Sequence, residues 1–438
     1  MDELITYGIT GLFVLGVLWY YIGRIQRKSK LTEAKVRKAK EEGRFTPVSL
    51  YPHIDPAKCI GSGACIKACP ELDILGLVNG RGTIINSTSC IGHGACFASC
   101  PTDAISLRIG TAERGVDLPH VKPNYETNVP GIFIAGELGG MGLIKNSMEQ
   151  GMEAIQSIHG QRESTHPHPY DVAIIGGGPA GIAASLKAKE LGLTFITMDQ
   201  NTLGGTVATY PRKKVVMTQP VNIPYYGKLH LRITSKDELI QIWDNLLRET
   251  GITIQERHKV ARIDAVDQGF QLTLDNRNPV QANQVLIATG RTGSPRKLNV
   301  PGEHLEKVAY RILDEDQIRD EDILVVGGGD SAVESALLLA PDNRVHLSYR
   351  KAHFARIKPG NQAALKQAVD NGELKLILES NVTSIHDDRV ALDVTGEELN
   401  LPNERVYIFA GGELPTAFLR QAGILVETEY GKIVKQHR

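Results

Sequence analysis

The first apolar segment of the chain, Leu4–Gly23, holds twenty consecutive residues without a charge. That is the length an α-helix needs to cross a hydrocarbon core. Nine basic and three acidic residues follow within Arg24–Arg44, and aromatic residues occupy Trp19–Tyr21 at the basic end, as is typical of a membrane interface. The pattern predicts a transmembrane helix over 4–23, for which a buried core helix is the alternative, with everything downstream in the cytoplasm. A basic juxtamembrane linker is predicted over 24–50. Its basic run is expected to continue as a solvated helix near the anionic leaflet, and a charged spacer without a role at the lipid is the alternative.

Farther along, an apolar strand, Asp171–Ile175, leads directly into a glycine-rich turn (GGGPAG), a helix and a second strand that ends at Asp199. Glycines in such a turn let a pyrophosphate approach the N-terminus of the following helix. An acid at the end of the second strand can accept hydrogen bonds from ribose hydroxyls. We therefore predict a Rossmann-like dinucleotide-binding domain over 170–299. Its predicted contact residues in this motif are Gly176, Gly178, Gly181 and Asp199.

The same pattern of strand, glycine-rich turn and helix recurs from Ile323. The strand that follows its helix covers Arg344–Ser348. No acid ends this strand, and basic residues follow it instead. Cations at this position suit a 2′-phosphate, which favours NADPH over NADH, although a solvated basic edge would look the same. We predict a second dinucleotide-binding domain over 300–410. Its predicted contact residues are Gly327, Gly329, Ala332, Arg350, Lys351 and Arg356.

Composition narrows the remaining possibilities. The formal net charge of −1 argues against a nucleic-acid partner. All six cysteines fall between Cys59 and Cys100. Cysteine confined to one short segment indicates a metal or cluster site rather than a disulfide framework.

Those cysteines form two copies of one pattern, each ending in Cys-Pro: Cys59, Cys65 and Cys69, then Cys90, Cys96 and Cys100. This resembles the bacterial two-cluster ferredoxins, whose motif is C-x2-C-x2-C-x3-C-P, and implies a small α+β domain over 51–110. Ser62 and His93 replace the second cysteine of each motif. In the family the last cysteine of a motif serves the other cluster. The resemblance thus implies one set of Cys59, Ser62, Cys65 and Cys100, and another of Cys69, Cys90, His93 and Cys96.

Several questions about these clusters stay open. Three thiolates suit either a 3Fe-4S cluster or a 4Fe-4S cluster with a non-cysteine ligand. Whether Ser62 and His93 bind iron is undecided at this point. A domain that kept its shape and lost its iron is the alternative.

The two dinucleotide-binding units together resemble the thioredoxin-reductase-like flavoproteins over nearly all of residues 111–438. The resemblance implies that the first unit binds FAD and the second binds NAD(P)H. It also implies a possible homodimer. Additional FAD contacts implied by family-like segments are Gly204, Gly205, Thr206, Thr289 and Gly290.

That family ends in an FAD motif, T-x-x-P-G-I-F-x-A-G-D. Here the motif stands upstream of the first unit as Thr127–Glu137, with Gly136 and Glu137 at its turn. The reductase is therefore expected to be circularly permuted, which proteins tolerate when their termini lie close together. Residues 111–160 would be a displaced part of the FAD domain, and 411–438 would return to it. We hypothesise that this order places the clusters beside the flavin.

No cysteine follows Cys100, so an internal disulfide relay of the kind used by family members is excluded. The predicted protein is α/β, with two Rossmann-like domains, a ferredoxin-like domain and an N-terminal transmembrane helix. We predict a single-pass membrane oxidoreductase that passes electrons between NAD(P)H, FAD and iron–sulfur clusters, with a redox protein or membrane carrier as partner. No acid–base catalyst is nominated. The alternatives are a reductase of an external low-molecular-weight disulfide, or a redox sensor without turnover.

Overall fold

The structure is a computed structural model that describes residues 2–41, 44–45, 47, 50–71, 73–90, 92–112, 114–140, 142–161, 167–209, 215–216, 220–229, 234–291, 294–312, 315–354 and 357–437. The chain divides into two compact units. Unit 1 comprises residues 1–116 and 429–438, and unit 2 comprises residues 117–428. Each is described by itself.

The N-terminal helix of unit 1, Asp2–Glu41, is continuous over 40 residues. It is long and apolar enough to cross a membrane, and none of its most apolar stretch is buried in the protein. We expected the basic run after Gly23 to continue as a solvated helix within the juxtamembrane linker. The helix does run on to Glu41, but it is not wholly solvated, because Ser29 and Ala39 are buried within unit 1. Small side chains at these two positions let other parts of the unit pack closely on the helix.

A three-stranded antiparallel sheet and a hairpin complete unit 1. In the sheet, Ile105–Ile109 lies between Tyr51–Ile54 and Lys432–Lys435. The hairpin consists of Leu75–Val78 and Arg81–Ile84. Two short helices, Ala64–Ala68 and Ala95–Ala98, follow the glycines of the two cysteine motifs.

The C-terminal segment corrects one expectation. We expected 411–438 to return to the FAD domain, and the structure divides this range. The helix Thr416–Gln421 packs in unit 2, where Leu419 and Ile424 join the core of the first sheet. The strand Lys432–Lys435 instead pairs with Ile105–Ile109, and the His437 ring stacks on Phe97 with centroids 3.7 Å apart. The last strand therefore completes the ferredoxin-like sheet.

The first sheet of unit 2 has seven strands. Its path is Ile254–Gln255, Phe195–Met198, Tyr170–Ile175, Val280–Ile287, Gly269–Leu274 and Val260–Val266. The seventh strand, Ile132–Ile134, pairs in parallel with Val285–Ile287. That pairing is what a displaced final strand of the family's sheet predicts. Three helices accompany the sheet: Ile144–Gly160, Pro179–Glu190 and Lys236–Thr250.

Close helix packing supports the same assignment. A Cβ atom added to Gly151 would lie 2.1 Å from the carbonyl oxygen of Ala180. The backbones of Ile144–Gly160 and Pro179–Glu190 therefore touch at this point, which only glycine allows. The helix Ile144–Gly160 therefore belongs to the packed core around the first sheet.

The second sheet of unit 2 has five parallel strands, in the order Val308–Ala309, Arg405–Ile408, Asp322–Val326, Arg344–Tyr349 and Leu374–Leu378. Helices Asp330–Leu339 and Pro359–Asp370 belong to this domain. Three antiparallel strands follow: Ser380–Ile385, Arg389–Val394 and Glu397–Pro402. Shorter strands are Val116–Pro119, Val215–Val216, Val221–Ile223, Gly227–Leu229, Thr234–Ser235, Ser294–Pro295, Gly412–Glu413 and Val426–Glu429. Short 3-10 helices are Glu137–Gly139, Gly205–Thr209, Glu315–Gln317 and Ala340–Asp342.

Candidate functional site

The first glycine-rich turn is tightly enclosed. A Cβ atom on Gly181 would lie 1.8 Å from the carbonyl oxygen of Gly176, and one on Gly176 would lie 2.5 Å from that of Ala288. Gly176 also has a φ of 121°, which side chains disfavour. The turn therefore requires glycine, and it leaves the N-terminus of helix Pro179–Glu190 open to a phosphate.

Asp199 is held against this turn by backbone hydrogen bonds. Its carboxylate accepts from the N–H of Gly177 and from that of Asn201, each at 2.6 Å. Burial raises the pKa of Asp199, and the two hydrogen bonds only partly oppose this. The acid thus lies next to the glycines, where a ribose hydroxyl can reach it.

The remaining predicted FAD contacts border the same turn. The N–H of Gly204 donates to the carbonyl of Gly177 at 2.8 Å, and a Cβ on Gly205 would lie 3.1 Å from the Cα of Gly178. Thr206 follows in the 3-10 helix Gly205–Thr209 and is exposed. Thr289 and Gly290 directly follow Ala288, whose carbonyl touches Gly176. The structure thus brings the segment 204–206 and the segment 289–290 to the same glycine-rich turn.

Glu137 lies at the start of a 3-10 helix after Gly136, whose N–H donates to Gln150 Oε1 at 2.8 Å. The Glu137 side chain reaches solvent, yet the surrounding protein is dense enough that desolvation raises its pKa. Arg291 opposes that rise, while burial lowers the pKa of Arg291 itself. Sequence reasoning missed Arg291, although it directly follows the Ala288-Thr289-Gly290 segment.

The second glycine-rich turn differs in what closes it. A Cβ atom on Gly328 would lie 1.9 Å from the ring of Tyr349, so this ring rests directly on the turn. The ring of Phe354 stacks on the ring of Tyr349, with centroids 4.8 Å apart. Ala332 is fully buried in the following helix. An aromatic side chain therefore lies at the end of the strand where the first domain has an acid. The contact of Tyr349 with Gly328 could not be predicted from the sequence.

The predicted cations stand just beyond this ring. Arg350 and Lys351 are both exposed after the strand Arg344–Tyr349. Arg356 lies outside the described residues. The side chains of Arg350 and Lys351 are therefore accessible to an anionic ligand. A solvated basic edge with no ligand would show the same exposure.

The first predicted set of iron ligands shares one cavity of unit 1. Cys59, Ser62, Cys65 and Cys100 all line it. Backbone N–H groups already point at two of the sulfurs: Gly82 donates to Cys59 Sγ at 3.2 Å, and Ala104 to Cys100 Sγ at 3.3 Å. Such hydrogen bonds are what a cluster's sulfurs accept in ferredoxins.

The second predicted set is also brought together. Cys69 Sγ lies 4.0 Å from His93 Nε2. Burial raises the pKa of Cys90 to about 11 and that of Cys96 to about 12, and the neighbouring Cys69 raises both further. Thiols held neutral in this way lose their protons when iron binds.

His93 has a defined hydrogen bond that bears on its role. Its Nδ1 accepts from the N–H of Ala95 at 3.2 Å. A neutral imidazole that accepts at Nδ1 carries its proton at Nε2. In this orientation Nε2 faces Cys69 as a donor rather than as a lone pair for iron.

Among the residues that the structure describes, no three His, Cys, Asp or Glu side chains converge as ligands of a single metal ion. An iron–sulfur cluster makes a different demand, because each thiolate binds its own iron atom. The donor chemistry of both sets, thiolates supported by backbone N–H groups, fits clusters.

Comparison with known proteins identifies the two parts of the chain. A family profile described as pyridine nucleotide-disulphide oxidoreductase matches residues 173–437, and one described as a 4Fe-4S dicluster domain matches 51–101. A ferredoxin–NADP reductase of Ignicoccus hospitalis is 26% identical over 253 residues, covering 56% of this chain and 78% of that protein. Bacilliredoxin reductase Bdr of Bacillus subtilis is 24% identical over 269 residues, covering 59% and 82% respectively.

A solved structure shows the same fold. Bacillithiol disulfide reductase Bdr from Staphylococcus aureus aligns with a TM-score of 0.53 at 22% identity, covering 60% of this chain and 85% of its own. The two profiles together imply FAD, NAD(P)H and 4Fe-4S clusters as the cofactors.

Proposed function

Because the chain belongs to the pyridine nucleotide-disulphide oxidoreductase family, we propose that it is a membrane-anchored enzyme that passes electrons between NAD(P)H and a redox partner by way of FAD and two iron–sulfur clusters. FAD supplies the exchange between the two electrons of a hydride and single electrons. The protein's own contribution is to bind, space and insulate these groups.

The residues around the first turn hold the FAD. The glycines admit the pyrophosphate, and the Asp199 carboxylate accepts hydrogen bonds from the adenosine ribose. Glu137, whose carboxylate feels the charge of Arg291, is the contact offered by the displaced segment. In the second domain the turn at Gly327 holds the nicotinamide dinucleotide. Arg350 and Lys351 favour the 2′-phosphate of NADPH.

The observation that carries the proposal is the distribution of thiols. No cysteine follows Cys100, so the dinucleotide-binding unit contains none. The chain's thiols are gathered in unit 1, where one cavity holds Cys59, Cys65 and Cys100 and Cys69 lies beside His93. A hydride delivered to the flavin therefore has no internal disulfide to reduce, which leaves the clusters as its outlet within the chain.

The N-terminal helix supports the membrane part of the proposal. Its apolar side chains from Leu12 to Tyr21 are exposed rather than packed in a core. Exposed apolar surface of this extent is unfavourable in water and suits lipid. We propose a single span over Leu4–Gly23 with both units on the cytoplasmic side.

The experiment is NADPH oxidation by the full-length protein with cytochrome c as an artificial one-electron acceptor. The Cys96→Ala variant removes one thiolate from the second set, and the exposed Ala98→Ser on the same short helix is the matched control. We expect Cys96→Ala to lose cytochrome c reduction while NADPH still bleaches the flavin. Unchanged cytochrome c reduction without that cluster would contradict the proposal.

A second candidate, reduction of a low-molecular-weight disulfide, is favoured by the fold shared with the protein titled bacillithiol disulfide reductase. The same proteins test it with bacillithiol disulfide as substrate. Turnover that needs this disulfide and survives the Cys96→Ala change would establish the second candidate in place of the first.

A further inference from the structure

The hairpin of unit 1 lies along the N-terminal helix in a fixed direction. The N–H of Asn79 donates to Ser29 Oγ at 2.9 Å, and Asp73 pairs with Lys35 at 2.6 Å. Between these contacts, a Cβ on Gly76 would lie 2.6 Å from Thr32. Residues later in the hairpin strand contact residues earlier in the helix, so the tip of the hairpin points toward the apolar end of the helix.

The first cysteine set lies at this tip. A Cβ on Gly61 would lie 2.0 Å from the carbonyl oxygen of Gly80. Arg81 donates to the carbonyl of Cys59 at 2.6 Å, and Gly82 donates to Cys59 Sγ. The Cys59–Cys65 loop is therefore packed on the end of the hairpin nearest the apolar segment.

The second set lies at the other end of the helix. The N–H of Arg44 donates to the carbonyl of Ala39, and Thr88 in turn donates to the carbonyl of Arg44, at 2.8 and 3.1 Å. Thr88 is two residues from Cys90. A Cβ on Gly92 would lie 2.7 Å from Leu50. The Cys90 segment is thus fixed beyond the hydrophilic end of the helix.

Helix geometry converts this order into heights. Ser29 is six residues past Gly23, which is about 9 Å at 1.5 Å per residue, and Ala39 is about 24 Å past it. The polar layer of a bilayer is about 5–7 Å thick on each side. A tilted helix lowers both heights without changing their order.

The end of unit 1 beside this layer has suitable chemistry. We define the membrane face as Lys58, Ile60 and Asn79–Arg81, all of which are exposed, Ile60 by 67%. The helix adds the exposed cations Arg27 and Lys28 at the same height. Cations around an exposed apolar side chain are what an anionic lipid surface attracts.

We propose that the membrane face rests on anionic lipid headgroups. The Cys59, Ser62, Cys65 and Cys100 set is then proximal to the membrane, and the Cys69, Cys90, His93 and Cys96 set is distal. The proximal cluster is the one that exchanges single electrons with a membrane-held redox partner. The inference rests on the proposed function, since it needs Leu4–Gly23 to span the bilayer.

Lysine labelling of the full-length protein tests this without any substitution. The protein is placed in lipid nanodiscs containing phosphatidylglycerol, treated with acetic anhydride and compared by mass spectrometry with the protein in detergent. We expect severalfold protection of Lys58 in the nanodiscs and none of Lys40, an exposed lysine near the far end of the helix. Failure to co-purify with nanodiscs would overturn the anchor and this inference together. Normal incorporation into nanodiscs with no more protection of Lys58 than of Lys40, each relative to detergent, would overturn the inference alone.

The clusters themselves give a second readout. Gadolinium chelated to lipid headgroups shortens the relaxation of nearby paramagnetic centres, and the two clusters are assigned with Cys59→Ala and Cys90→Ala. We expect a strong effect on the cluster that remains in Cys90→Ala and a weak one on that in Cys59→Ala. Equal or reversed effects would contradict the proposed order.

Discussion

The two glycine-rich turns of unit 2 share one frame and differ in how they are closed. In the first, the buried Asp199 accepts two backbone hydrogen bonds, and helix Pro179–Glu190 comes so close that Gly181 has no room for a Cβ. In the second, Tyr349 covers Gly328, and the position of the third glycine already holds Ala332. In the proposed function, the strand, turn and helix provide a phosphate site in both domains, and the end of the second strand decides which ribose is accepted.

The largest loss of stability is expected at the last residue of the glycine-rich motif, which is Gly181 in the first domain and Ala332 in the second. Gly181→Ala would place a Cβ 1.8 Å from a backbone oxygen, which should cost about 3 kcal/mol or more in stability. The matched change Ala332→Gly should cost only about 1 kcal/mol, the helix propensity of alanine. Thermal unfolding and bound FAD per chain measure both. Similar costs at the two positions would show that the turns are equally open.

Asp199→Asn tests the acid of the first turn. A hydrogen bond to a charged group contributes about 1.5–3 kcal/mol, so FAD should bind correspondingly more weakly. The partly exposed Asp264, which pairs with Arg262 outside the turn, provides the control Asp264→Asn. Release of FAD fluorescence on dilution gives the affinity. Tight FAD binding in Asp199→Asn would remove this carboxylate from the site.

The same residue predicts a pH dependence. Burial raises the pKa of Asp199 in the apoprotein, so the ionised carboxylate costs stability above its unfolded pKa, and this cost is relieved as the pH falls. In the proposed function, FAD binds to the ionised form of Asp199. FAD affinity should therefore weaken as the pH falls through a pKa above that of an ordinary aspartate, and Asp199→Asn should lose this dependence.

The cations of the second turn should give a smaller effect. The double change Arg350→Ala and Lys351→Ala should reduce the preference for NADPH over NADH about tenfold, close to 1.4 kcal/mol. Lys366→Ala, an exposed cation on helix Pro359–Asp370, is the control. The ratio of kcat/KM for the two nucleotides is the measurement. An unchanged ratio would make these cations an ordinary solvated edge.

The smallest effect concerns Tyr349. Replacing it by leucine removes the stacking with Phe354, which is worth about 0.5–1.5 kcal/mol. Tyr349→Phe keeps the ring and should cost almost nothing. Thermal unfolding of the two variants, each with and without NADPH, separates the packing of the ring from nucleotide binding. Equal losses would assign the effect to the hydroxyl.

Local patterns explain what could be predicted from the sequence. The two turns followed from short-range spacing, because glycine restricts the backbone locally. The grouping of Cys59 with Cys65 and Cys100 followed instead from the resemblance to two-cluster ferredoxins, and all three line one cavity. The basic run was expected to continue as a helix, and the helix reaches Glu41. The burial of Ser29 was missed because it depends on Asn79, a residue far away in the chain. The pairing of Lys432–Lys435 with Ile105–Ile109 was missed for the same reason, since the sequence of a strand does not identify its partner.

The central claim is that flavin and clusters form one electron path, and anaerobic electron paramagnetic resonance tests it most directly. Cluster signals and flavin absorbance are followed together after NADPH is added to oxidised protein, and after NADP⁺ is added to dithionite-reduced protein. The account predicts that in at least one direction the cluster signals change in step with the flavin. Flavin that reacts fully with either nucleotide while the cluster signals stay constant in both directions would contradict it.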